Sequence, residues 1–167
     1  MKNWIILRQI LRISCKISLS CRGGNMGVIL DTSVLIEAER RKFAIDEFAG
    51  NREEEAFGLS VITVAELLHG VHRADSTKRR LIRSAYVEKV IELFPVYAFD
   101  IFIARAYSEL WSDLSRRGIQ IGAHDLIIGS TALSLGFSVA TFNLRHFERI
   151  EELKIELLNF NDKTYLS

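Results

Sequence analysis

From Met26 onward, short apolar runs alternate with stretches of helical periodicity, and this alternation restricts the possible folds more than any other feature of the chain. Such a pattern is the signature of βαβ units built around a parallel sheet, so the class is α/β. Strands are expected at residues 28–30, 57–59, 96–99, 137–141 and 155–158. Helices are expected over 33–41, 43–49, 61–74, 78–93, from Asp100 to Gly118, and over 123–135. Ser60 and Asp100 stand where N-caps belong, and Val61, Ala65, Leu68 and His72 share one helical face. No internal repeat or low-complexity segment interrupts the pattern.

The chain has 167 residues, 49% of them apolar, which suits one domain with a sizeable core. Residues 1–25 differ in character from the rest. They carry Lys2, Arg8, Arg12, Lys16 and Arg22 with no acid, and both cysteines, Cys15 and Cys21. The remainder therefore holds 17 of the 22 basic residues against all 21 acidic ones, a formal charge of −4. That balance argues against attachment to nucleic acid by bulk charge alone. The first segment lacks an uncharged run long enough for a secretory signal, and no stretch is long enough to span a bilayer. Ile6, Ile10, Ile13 and Ile17 fall on one helical face, as in a membrane-surface helix. The plainer expectation is a basic extension over 1–25, dispensable or ahead of the natural start at Met26, followed by one domain over 26–167. Disulfides hold no part of that domain, because no cysteine follows residue 21.

Asp31, Glu66 and Asp125 each sit in an apolar setting where a charge does no work for solubility. Asp31 ends the run Val28-Ile29-Leu30, and ligands of open parallel sheets bind beyond the carboxyl ends of strands. Glu66 interrupts "VITVAELL" and Asp125 interrupts "GAHDLIIGSTAL". Singly, each has an ordinary reading: Asp31 or Asp125 as a carboxylate at a helix start, Glu66 as an exposed residue. One bound cation explains all of them jointly, because neighbouring carboxylates in a half-dry cleft repel until a cation neutralises them. Hard oxygen donors select magnesium or manganese.

At this point the chain resembles the PIN-domain ribonucleases, and within them the VapC-type toxins of type II toxin–antitoxin modules. The motifs that carry the resemblance are "ILDTSVLIE", "SVITVAELLHGVHRA", "IGAHDLIIGSTAL" and "VATFNLRHFERI", in the same order and spacing. The resemblance implies a three-layer α/β/α fold around a parallel sheet of four to five strands. It implies that Asp31, Glu66 and Asp125 are the catalytic, metal-binding acids, with Mg²⁺ or Mn²⁺ as cofactor. Ser33 would orient a carboxylate or a water. Where the family often has a fourth acid this chain has Asn143, with Thr141 beside it, which leaves open one metal or two. Hydrolysis by water would leave a 5′-phosphate and a 3′-hydroxyl on an RNA, a transfer RNA or a ribosomal RNA loop. The expected partners are a small VapB-like antitoxin and a second copy of the chain, in the cytoplasm with no membrane partner.

Two rival readings are weighed against this one. A haloacid-dehalogenase-type phosphohydrolase needs a second aspartate two residues after the first, where this chain has Ser33. A non-catalytic PIN-fold module that binds RNA or protein would not need the acidic trio intact. His69, His72, His124 and His146 form no closed zinc-site pattern; His69 and His72 are expected to pack or hydrogen-bond on the Glu66 helix, and His124, beside Asp125, is open to a structural reading as well. Arg73, Arg79, Arg80, Arg116, Arg117 and Arg145 are the candidates for gripping RNA phosphates. Gly70 and Gly129, each four residues after an acid, would leave room on the acid-bearing faces for a close neighbour or substrate. Tyr107, Leu110, Trp111 and Leu114 on one helix, and Leu81, Ile82, Val87, Val90 and Ile91 on another, exceed what a small domain buries, which favours self-association.

Overall fold

The computed structural model describes residues 27–41 and 56–156. In chain order they form β1 (Gly27–Leu30), α1 (Thr32–Arg41), β2 (Ala56–Ser60), α2 (Val61–His72), α3 (Thr77–Leu93), β3 (Val96–Tyr97), α4 (Ile101–Arg116), α5 (Ala123–Leu135), β4 (Ser138–Ala140), α6 (Leu144–Phe147) and β5 (Ile155–Glu156). The basic segment 1–25, the short helix expected at 43–49 and the end of the last strand lie outside the described residues.

All strand pairs are parallel, and the order across the sheet is β3-β2-β1-β4-β5. The chain builds outward from β1 in one direction, then returns to lay β4 against its other edge. Neighbouring strands β1 and β4 thus form the topological switch point, where α/β sheets place their ligands.

Alternation along β1 divides the core in two, because successive side chains leave a strand on opposite faces. Val28 and Leu30 join Phe57, Leu59 and the buried sides of α1, α2 and α3. Ile29 points the other way, to Val139, Ile128 and Ala132 of the β4 and α5 side, closed by Phe147, Ile150 and Leu153. Helix α4 packs outside α5. This is the three-layer α/β/α arrangement, with five strands.

Local chemistry sets the helix ends. Ser76 Oγ accepts from the Arg79 backbone N–H at 3.3 Å, and Asp100 Oδ1 accepts from those of Phe102 and Ile103, both at 3.0 Å. Gly136, at φ 66°, turns the chain out of α5 in the left-handed conformation that glycine adopts without strain.

Several expectations are corrected. Ser60 precedes α2 but makes no side-chain cap; its buried hydroxyl instead meets Thr131 Oγ1 at 3.2 Å, tying α2 to α5. The buried face of α2 is Thr63, Leu67 and Val71, whereas Val61, Ala65 and His72 are exposed. β3 stops at Tyr97 because a turn, Asp100 N–H to Ala98 O at 3.0 Å, follows at once. β4 starts at Ser138 because the Phe137 N–H is used to close α5 on Ala132 O at 2.9 Å. α2 ends at His72, and the one-turn helix α6 was not anticipated, since four residues carry no periodicity. Of the two occupants expected beside Gly129, the structure places a close neighbour: a Cβ there would lie 2.8 Å from Ile150 Cδ1, inside the second core. Gly70 lies against Arg83 of α3, whose Nη1 donates to the Gly70 carbonyl at 3.3 Å.

Candidate active site

Asp31 follows β1 directly, and its backbone N–H donates to Ala140 O at 3.0 Å, so the ladder to β4 fixes the position of the carboxylate. Its residue is only 5% exposed. Oδ2 accepts from the Ser33 hydroxyl at 2.5 Å and from the Thr141 hydroxyl at 2.7 Å. Burial raises the Asp31 pKa above its ordinary 3.8; the two hydroxyls and the Thr32 N–H pull against this, and the nearby charge of Asp125 adds to the rise. Among the described residues, this buried carboxylate has neutral donors and a second carboxylate nearby but no cationic partner.

The same hydroxyls order the loop after β4. Ser33 Oγ accepts from the Phe142 N–H at 3.1 Å, and Thr141 Oγ1 accepts from the Asn143 N–H at 2.8 Å. Glu66, two turns into the mostly apolar α2, receives the Thr32 hydroxyl on Oε2 and stands 2.7 Å from His124 Nδ1 through Oε1. Asp125, in the first turn of α5, has His146 Nδ1 at 2.6 Å from Oδ2. Asn143 Nδ2 lies 2.9 Å from the same nitrogen.

Asp31 and Asp125 are therefore linked through Thr141, Asn143 and His146, and Glu66 is tied to Asp31 through Thr32, whose hydroxyl bonds Glu66 and whose backbone N–H bonds Asp31. Among the described residues, no three Asp, Glu, His or Cys side chains converge as a ready-made metal-ligand group. The donor chemistry nonetheless fits a hard cation: the trio offers carboxylate oxygens only, and Asp31 is a buried anion near the charge of Asp125.

Sequence reasoning missed the two histidine contacts. The sequence leaves His124 open between a site and a structural role and gives His146 none beyond the rejected zinc set, yet each meets a site acid. His69 and His72 are exposed on α2. Of the arginines, Arg145 lies on α6 beside His146 and is exposed. Arg116 is 3.4 Å from Asp113, and Arg117 bridges Asp113 and Glu151, both at 3.1 Å. Arg73 lines a surface cleft of about 370 Å³ with Glu39, Asp75, Arg79 and Arg83, rather than the acidic site.

An acidic, hydroxyl-bonded cluster stands at the β1/β4 switch point of this parallel sheet. The PIN domain family model matches residues 28–153, and the chain belongs to the PIN-domain family. Several of its relatives are named as VapC ribonucleases. Ribonuclease VapC1 of Rickettsia felis is 34% identical over 137 residues, which is 82% of this chain and 100% of that protein. The tRNA(fMet)-specific endonuclease VapC of Salmonella typhimurium is 32% identical over 128 residues, covering 77% of this chain and 95% of that protein. The crystal structure of DNA-bound VapBC from Salmonella typhimurium matches with a TM-score of 0.69 at 32% identity, covering 78% of this chain and 97% of that one.

Proposed function

We propose that this chain is a metal-dependent endoribonuclease and the toxin of a type II toxin–antitoxin module. The observation that carries the reading is Asp31: buried, bonded among the described residues by neutral hydroxyl and amide donors, and near the charge of Asp125. A fold does not maintain such a group for stability, since its charge costs free energy until a cation or substrate complex compensates it.

Asp31, Glu66 and Asp125 are the residues that would hold Mg²⁺ or Mn²⁺. Such an ion, when bound, lowers the pKa of water and stabilises charge on a phosphoryl group under attack. The chain's own residues do the positioning. Ser33 and Thr141 hold one Asp31 oxygen, Thr32 and His124 hold Glu66, and His146 holds Asp125, so none of the carboxylates is free to rotate away. The substrate proposed is an RNA phosphodiester, in a transfer RNA or a ribosomal RNA loop, with Arg145, exposed on α6 next to His146 in sequence, as a basic candidate for a phosphate contact.

The carboxylates of Glu66 and Asp125 keep some solvent access, 30% and 21% of their side chains. A VapB-like antitoxin could place a guanidinium there, pairing with the acids and competing with the cation. Self-association is proposed through the face of α4 on which Trp111 is exposed beside Tyr107, with Phe99 exposed just ahead of the helix. Val87, Val90 and Leu114, which the sequence put among the surplus apolar residues, are core instead.

The test is cleavage of cellular RNA by purified wild-type and Asp31→Asn protein, with magnesium and with chelator, followed by sequencing of the new 5′ ends. Cleavage at defined sites that needs both magnesium and Asp31 is expected. Equal cleavage by both proteins would remove the nuclease assignment, and binding without cleavage by the wild type would favour a non-catalytic module.

A further inference from the structure

Resting on that reading, we infer that His146 is a positioning residue, tying Asp125 to Asn143 and fixing Asp125 for cation binding. His146 Nδ1 stands 2.6 Å from Asp125 Oδ2 and 2.9 Å from Asn143 Nδ2. An imidazole nitrogen carries at most one proton and a carboxylate accepts only, so Nδ1–H donates to Asp125. An amide NH₂ cannot then donate to the same nitrogen. The Asn143 amide must present Oδ1 to His146, a rotation that exchanges O and N and leaves the other heavy atoms where they are.

Both ends of this link are anchored. On the α6 side, the His146 N–H donates to Asn143 O at 3.2 Å, the Asn143 N–H donates to Thr141 Oγ1, and the next residue, Phe147, is fully buried. On the α5 side, a Cβ on Gly122 would stand 3.1 Å from Asp125 Oδ2, so that oxygen lies between the Gly122 backbone and the imidazole. His146 therefore restricts the rotation of Asp125, and because its Nδ1–H, shared between Asp125 Oδ2 and Asn143 Oδ1, can only donate, the Asn143 amide NH₂ turns outward as a donor. At the position where other PIN domains often carry an acid, this chain would then offer a neutral donor suited to a phosphate oxygen.

Replacement by asparagine separates this role from proton transfer, because an asparagine Nδ2 occupies nearly the place of Nδ1 and has no counterpart of Nε2. Mn²⁺ affinity is measured on metal-free full-length protein by electron paramagnetic resonance, alongside kcat and KM for RNA cleavage and the melting temperature. His146→Ala is expected to weaken Mn²⁺ binding about 10–100-fold, as loss of a ligand's hydrogen-bond partner does, with His146→Asn recovering to within about threefold of wild type. The cleavage rate should fall and recover in the same order. Wild-type Mn²⁺ affinity in His146→Ala, or an asparagine variant as impaired as the alanine one, overturns the role. A wild-type protein with no Mn²⁺ affinity overturns the metal reading itself, which is a separate result.

Discussion

Thr141 Oγ1 donates to Asp31 Oδ2 at 2.7 Å, joining residues 110 positions apart at the ends of adjacent strands. The contact exists because β4 was laid against β1 in register, Leu30 opposite Ala140, so that the next residue of each strand emerges on the same edge. Thr141→Val keeps the shape and removes the donor. One of two hydroxyls on a buried carboxylate is lost, and the expected destabilisation is about 1–3 kcal/mol. Urea denaturation of Thr141→Val and Thr141→Ser checks this, with serine expected to recover most of the loss.

Asp31 also makes stability depend on pH in a definite direction. Its folded-state pKa is raised above 3.8, chiefly by burial, so the folded chain holds this proton more tightly than the unfolded one. The resulting penalty is fully present above the folded-state pKa, and fades as pH falls through that value toward the unfolded one. Asp31→Asn removes it. In chelator at neutral pH the Asp31→Asn protein is expected to melt above wild type, with the gap narrowing as pH is lowered, while its RNA cleavage is lost. A melting temperature for Asp31→Asn below wild type at neutral pH contradicts this account.

The sheet and its acids were legible because they rest on local pattern: an apolar run ending in Asp31, and Glu66 and Asp125 inside apolar helices. The network around them was less so. Ser60 reads as a cap from its neighbours alone, and only the approach of α5 gives its hydroxyl to Thr131. His124 and His146 reach Glu66 and Asp125 across 58 and 21 positions, a closeness set by packing and not by spacing. Residues of α3 show the same limit. Val87 and Val90 are core and Leu81 and Ile82 are exposed, although the sequence presents all of them as one apolar set.

Gly129 and Gly70 have parallel positions in sequence and opposite surroundings. An added methyl at Gly129 would press on Ile150 Cδ1 at 2.8 Å, with Leu153 Cδ2 at 3.7 Å behind it. Overpacking of this kind costs about 1–3 kcal/mol, more than the gain of about 1 kcal/mol from replacing a helical glycine. At Gly70 the nearest atom is Arg83 Nη1 at 3.6 Å, an ordinary contact. Gly129→Ala is therefore expected to destabilise, and Gly70→Ala to stabilise by about 0.5–1 kcal/mol. Thermal and denaturant unfolding of the two variants should move in opposite directions, and a shift of the same sign in both would contradict the packing shown.

Self-association is proposed through the face of α4 that carries Tyr107 and Trp111, because aromatic side chains there form a continuous row. Phe99 meets Tyr107 edge-on at 5.8 Å between ring centres, and Tyr107 meets Trp111 at 6.0 Å. Trp111 is 59% exposed; Phe102, nine residues before it, leaves the helix on the opposite side. Leu81 on α3 is also exposed, at 66%, but neighbours Arg79, Arg80 and Arg83 and lacks such a row. A stable dimer needs roughly 800 Å² from each partner with an apolar centre, and aromatic rings supply that area most readily. Trp111→Glu places a charge in that row, whereas Leu81→Glu places one outside it. Sedimentation at micromolar concentration should show wild type and Leu81→Glu as dimers and Trp111→Glu as a monomer of unchanged helix content. A dimer that survives Trp111→Glu, or one that Leu81→Glu alone dissolves, moves the interface away from α4.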